Sequence, residues 1–208
     1  FKTVDGDTLN ISSLKYFISN VKLTNEEGQE IALEDSYYLV ESSTSSAMST
    51  FELSVPEGNY TKITFSLGVD AEANGDETII KGDLDPNSDM TWNWKIGYKF
   101  ILFEGSYNAN TIYTKDDITT GGNFMYHIGQ DANYTTFSKD LPKTLKIANG
   151  QTSELMLMAD FDNFFSGVNT IDVETTSTVM TGPAEDVAKL VANYAKGLFM
   201  VHHVKNPE

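Results

Sequence analysis

Between Leu9 and Leu23 apolar and polar side chains alternate, a two-residue period that fits an extended chain and no helix. The alternation predicts a long half-buried strand with Leu14, Tyr16, Ile18 and Asn20 on one side and Phe17, Ser19 and Val21 on the other. The same signal returns in short runs along the chain. Asn25 to Gly28 reads as a turn, Tyr37 to Val40 as a strand, and the Ser/Thr-rich stretch Ser42 to Ser46 as a solvated loop. Thr50 to Val55 and Tyr60 to Leu67 flank Pro56-Glu57-Gly58-Asn59, a composition that predicts a hairpin. Further strands are expected at Gly97 to Glu104, Phe124 to Ile128 and Glu154 to Ala159. In the last of these Leu155, Leu157 and Ala159 alternate with Met156 and Met158, so both faces are expected to be buried. An aromatic share of 12% agrees with strands, because flat and β-branched side chains pack well on a pleated surface.

One helix interrupts this pattern late in the chain. Pro183 stands at a first helical position, Glu185 and Asp186 fall in the first turn, and Val187, Leu190, Val191, Tyr194, Ala195 and Leu198 recur at helical spacing up to Gly197. Leu198 to Val204 is apolar enough to return to the body as a strand or packed tail. Such an order predicts an all-β, mainly antiparallel fold: a two-sheet β-sandwich with long loops gathered at one end and one C-terminal helix. At 208 residues, with no fixed-period repeat, a single domain over residues 1–208 is the expectation.

The net charge of −16 offers no basic field for a polyanion, so nucleic acid and anionic lipid surfaces are poor partners and cations are good ones. Cysteine is absent, which removes disulfides, thiolate metal sites and cysteine nucleophiles. There is no apolar run long enough to span a bilayer, and the chain opens at Phe1 without a signal segment, as a mature or trimmed exported protein would.

Between Gly68 and Asp89 the chain turns acidic and rich in Gly and Asn, which suits a long ordered loop better than a regular element. Asp70, Glu72, Asn74, Asp76, Asp83 and Asp85 supply oxygen donors of the kind Ca²⁺ takes. Asp70-x-Glu72-x-Asn74-Gly75 is close to the opening of an EF-hand loop, but Lys81 replaces the bidentate Glu and no helices flank it. Calcium is thus expected only as a structural ion, against the plainer alternative of a solvated acidic loop. Gly-x-Ser-x-Gly, His-Glu-x-x-His, Walker and Rossmann patterns are missing, and the expectation is a binding protein rather than an enzyme.

Several stretches together resemble the MbnP-like domain family. They are Leu14-Lys15-Tyr16-Phe17-Ile18-Ser19-Asn20, Gly68-Val69-Asp70, Asp83-Leu84-Asp85-Pro86, and Met90-Thr91-Trp92-Asn93-Trp94-Lys95-Ile96-Gly97-Tyr98. Glu104-Gly105, Tyr126-His127-Ile128-Gly129, Ala159-Asp160 ahead of Phe164-Phe165, and Asn193-Tyr194-Ala195 ahead of Phe199 and His202-His203-Val204 follow in order. The resemblance implies an exported bacterial β-sandwich of the periplasm or cell surface, often lipid-anchored, that binds copper and has a tryptophan oxidised to kynurenine by a di-haem peroxidase partner.

Carried over residue by residue, the resemblance implies His127 and the His202-His203 pair as copper ligands, with Trp92 or Trp94 as the oxidised residue. On an extended segment the two neighbouring histidines point to opposite sides, so one of them is expected to join His127. His203 is favoured, because His203-Val204 anchors the resemblance. Met90, Met125 and Met200 are candidate thioether donors to Cu(I). The plain alternatives are hydrogen-bonded histidines and tryptophans that fill a core edge. A competing function is a glycan-binding or adhesion sandwich in which Trp92, Trp94, Tyr98 and Tyr107 form an aromatic platform. A weaker one is a hydrolase using Asp70 or Asp85.

Overall fold

The computed structural model describes residues 3, 6–42, 48–92, 96–113, 118–181 and 184–207, with backbone alone at 109–113, 118–120 and 184. The expected long strand is β1, Thr8–Asn25. Leu14 to Tyr16 pair at once with β3 (Tyr37–Ser42) and β5 (Lys99–Tyr113), while Ile18 and Ser19 pair with β3 and β4 (Gly58–Leu67). β5 and β4 therefore take successive halves of one edge of β1, and β2 (Glu30–Ala32) and β3 take the other. With β6 (Ile118–Gly129), β7 (Thr135–Ile147) and β9 (Thr178–Met180) they form an eight-stranded sheet ordered β7-β4-β1-β5-β6-β9, with β2 and β3 paired to β1. Among the described residues all pairings are antiparallel except β6 with β9, which is parallel. β8 (Glu154–Ala159) and β10 (Phe199–Lys205) form a second, two-stranded antiparallel sheet.

The main core lies between the large sheet and a layer made of β8, β10, α2 (Asp162–Phe165) and α3 (Ala184–Gly197). Phe103 meets Phe124, Phe161, Phe164 and Phe165 at centroid distances of 5.2 to 5.7 Å, in edge-to-face pairs that gain from the ring quadrupole. Phe199 at the head of β10 closes the other end against Phe65 and Phe137. A second cluster, on the opposite face of the large sheet, joins Phe17, Phe100 and Leu102 to Val69, Ala73, Leu84, Met90 and Tyr98. The long segment between β4 and β5 thus covers a sheet face rather than an end of the sandwich. It also holds one helical turn, α1 (Ala71–Asn74), where a loop without regular elements was expected.

Three strand expectations need correcting. Val21 does not share a face with Phe17. Asn20 sits at φ +52°, the register against β4 slips between Ser19 and Lys22, and Val21 and Leu23 rejoin Leu14 and Tyr16 in the main core. Residues 50–55 form no strand and no hairpin with β4, because both edges of β4 are already taken by β1 and β7. β8 is not buried on both faces: Leu155, Leu157 and Ala159 pack on the main core, while Met158 is 41% exposed on the outward face. The Ser42-to-Ser46 loop lies outside the described residues except Ser42, which ends β3, and Pro183 lies outside them too.

Candidate metal centre

His127 stands in β6 opposite Leu102 of β5 and Met180 of β9. Its neighbours Tyr126 and Ile128 point into the main core, so the imidazole lies on the other face with Met125 and Gly129, the face that carries the second cluster. It is 6% exposed. Nε2 lies 2.7 Å from Oε1 of Glu104, the diagonal neighbour across the strand pair, and Nδ1 is buried with no hydrogen-bond partner among the described residues.

A carboxylate only accepts, so Nε2 carries the proton and donates, which leaves a lone pair on Nδ1 when the ring is neutral. Burial pushes the imidazole below its ordinary value, and this outweighs the Glu104 carboxylate; the nearby Lys99 ammonium pushes in the same direction as burial. A neutral imidazole, clamped at one nitrogen by a carboxylate and bare at the other, is the arrangement a metal-ligating histidine adopts.

Trp92 reaches the same place. A Cβ added at Gly129 would lie 2.6 Å from Trp92 Cζ3, so the indole rests on the bare backbone two residues beyond His127. The Trp92 backbone N–H donates to Gly97 O, and Thr91 and Tyr98 form a β-bridge beside it. Trp94 lies outside the described residues. Met125 precedes His127 by two positions on the same face and Met180 is its register partner; they are 36% and 46% exposed. Met90, by contrast, is fully buried in the second cluster.

The structure does not bring His127 together with the C-terminal pair. His202 and His203 lie on β10 in the small sheet, with Nδ1 of one 3.0 Å from Nδ1 of the other. Among the described residues no three His, Asp or Glu side chains form a group able to hold a metal ion. The expectation that the two neighbouring histidines point to opposite sides is corrected. The register against β8 slips between Val201 and His203, and this bulge turns both rings the same way.

Five of the six candidate oxygen donors of the 68–98 segment are engaged by the protein itself. Asp70 caps α1 and accepts from Tyr37 Oη and, at 3.0 Å, from Asn20 Nδ2. Asn74 bonds Asp131 and the Tyr98 N–H, Asp83 accepts from the Leu39 N–H, and Asp76 and Asp85 close turns on Thr78 and Asn87. Glu72 is exposed. Tyr98 is fully buried, which removes it from any surface platform with Trp92, and Tyr107 rests on Gly122 further along β6.

Sequence reasoning named neither Glu104 nor Met180 as site residues. Glu104 becomes visible only once the β5–β6 register is known, and Met180 belongs to a three-residue strand too short to carry a periodic signal.

The fold is a mainly antiparallel β-sandwich that carries a buried histidine and a tryptophan on one face of its large sheet. The chain belongs to the MbnP family, whose sequence model matches residues 1–181. That span contains His127 and Trp92 and ends before α3 and β10. Among solved structures, MbnP from Methylosinus trichosporium is similar, at 17% identity over 85% of this chain and 71% of that one, with a TM-score of 0.47. No curated protein matches the chain. Among the described residues no helix is long and apolar enough to cross a membrane.

Proposed function

We propose that this MbnP-family protein is an exported copper-binding protein of the periplasm or cell surface that sequesters or delivers the metal. His127 is the anchoring ligand, through Nδ1. The observation that carries this reading is the imidazole itself, 6% exposed, held at Nε2 by Glu104 and, among the described residues, unpartnered at Nδ1. Burying a polar nitrogen with no partner costs free energy, and a bound metal ion removes that cost. Copper suits the surroundings because it accepts imidazole in either oxidation state and, as Cu(I), thioethers such as Met125 and Met180.

Trp92 is the residue we assign to oxidation by a di-haem peroxidase partner. Its position on Gly129 supports this: conversion to kynurenine would add a carbonyl and an aniline nitrogen beside the same face. The test is Cu(I) titration against a chromophoric competitor, combined with intact mass of protein made with and without the peroxidase. Loss of one tightly bound equivalent of Cu(I) in His127→Ala, together with a mass change of one carbon lost and one oxygen gained, is the expected result. Unchanged affinity in His127→Ala would remove this histidine from the site.

A further inference from the structure

A second group of soft donors lies on the opposite side of the molecule's architecture. In β8 the residues facing the main core are Leu155, Leu157 and Ala159, so Met156 and Met158 face outward. In β10 Phe199, Val201 and Val204 face the core, and the bulge after Val201 leaves Met200, His202 and His203 outward. Met200 pairs directly with Met158, and His203 pairs with Met156. Three of the seven methionines and two of the three histidines of the chain therefore share one face of a two-stranded sheet.

Two features of this face are not those of an idle surface. Met158 and Met200 stand opposite one another at 41% and 40% exposure, two large apolar side chains paired in solvent. The His202 and His203 Nδ1 atoms converge at 3.0 Å. Two metal–nitrogen bonds of about 2.0–2.1 Å spanning that distance subtend about 95°, so both nitrogens can reach one ion with a small ring rotation. The donors are neutral thioethers and imidazoles, with the Glu154–Lys205 ion pair self-compensated at the end of the strands. Soft neutral donors select Cu(I) and its analogue Ag(I) over Mg²⁺ or Ca²⁺, and the strongly acidic chain draws cations to its surface.

We propose that the outward face of β8 and β10 is a separate Cu(I) site built from Met156, Met158, Met200, His202 and His203. It does not depend on His127, and it lies in part beyond the residues matched by the family.

The experiment is a titration of the full chain, labelled at the methionine ε-methyls, with Ag(I) as a diamagnetic probe followed by NMR. The ε-methyl signals of Met156, Met158 and Met200 should move together and, in the His127→Ala background, saturate at one equivalent, while those of buried Met90 and of Met48, which is 74% exposed, stay in place. The double variants Met158→Leu with Met200→Leu, and His202→Asn with His203→Asn, should each weaken binding at least about tenfold with unchanged circular dichroism. His127→Ala should leave these shifts intact, whereas failure of the His127 reading alone would appear as static Met125 and Met180 signals beside moving β8–β10 ones. Three unmoved methyls, or equal shifts at Met48, would overturn the proposal.

Discussion

Glu104 Oε1 lies 2.7 Å from His127 Nε2 across the β5–β6 pair, and this contact fixes which imidazole nitrogen is free. Glu104 touches no metal in the proposed site; it positions the ring that does. Glu104→Gln should therefore lower copper affinity about 10- to 100-fold, the usual effect of losing a partner of a metal-ligating histidine. His127→Ala should cost more. Competition titrations of the two variants, with the thermal midpoint of each apo-protein measured alongside, separate positioning from a general loss of fold. An equal loss in both variants would contradict the positioning role.

Gly129 gives a steric test of the Trp92 placement. Its added Cβ would come within 2.5 Å of Tyr98 O as well as 2.6 Å of Trp92 Cζ3, and the backbone atom cannot rotate away. Gly129→Ala should destabilise the protein by about 1–3 kcal/mol and lift the indole off the sheet. In a Trp94→Phe background the tryptophan emission should shift to the red. The proposed oxidation of Trp92 by a peroxidase should change in the same variant, because the indole has moved.

How much of this was legible in the sequence depends on which interactions were local. β1, α3 and the return of the tail as β10 were readable because a period of two or 3.6 residues is written in neighbouring positions. β7 was not read. Pro142 falls in it, and a proline argues against a central strand; β7 is an edge strand, and its register slips where Tyr60 and Lys62 of β4 face Leu145 and Asp140, leaving 141–144 as the bulge that admits it. The bulges at Asn20 and after Val201 were equally hidden, since each depends on a strand from far along the chain. His127 and Trp92 were nameable as site residues, but their shared face follows from Gly129, where the absence of a side chain makes room for the indole.

Asp70 should control stability at acid pH. Burial would raise its carboxyl, but hydrogen bonds from Tyr37 and Asn20 and from the backbone N–H of Ala73 outweigh this and hold it below the ordinary value. The folded state therefore binds that proton less readily than the unfolded chain. The resulting stability is present above the unfolded value, about pH 4, and is lost as pH falls through the lower folded value. Asp70→Asn should lower stability at neutral pH by about 1–3 kcal/mol, through the loss of charge-assisted bonds, and flatten the acid limb of the stability curve. Urea denaturation at pH 7 and at pH 3 checks both. An acid limb unchanged in the variant would assign the acid sensitivity to other carboxylates.

Asn193 holds α3 to the connection that leads out of α2. It is fully buried on the helix face that also carries Leu190 and Tyr194, a position where periodicity alone calls for an apolar residue. Its Oδ1 accepts from the Asn169 N–H at 2.7 Å, and its Nδ2 donates to Phe164 O at 3.0 Å and to Asn169 O at 2.9 Å. One side chain thus bonds three backbone groups, of which Asn169 O also accepts from the Gly167 N–H. Asn193→Leu keeps the branched shape and gains apolar burial, yet it strands the Phe164 carbonyl and the Asn169 N–H, each worth about 1–3 kcal/mol when buried without a partner, while Asn169 O keeps the Gly167 N–H. The stranded groups should win, with a net loss of about 2 kcal/mol seen as a lower denaturation midpoint at an unchanged denaturant slope. α3 runs directly into β10 through Leu198, whose carbonyl accepts from the Asp160 N–H at 2.8 Å. The variant should therefore also loosen the β8–β10 pair, and amide exchange in Phe199–Lys205 should quicken before it does in β1.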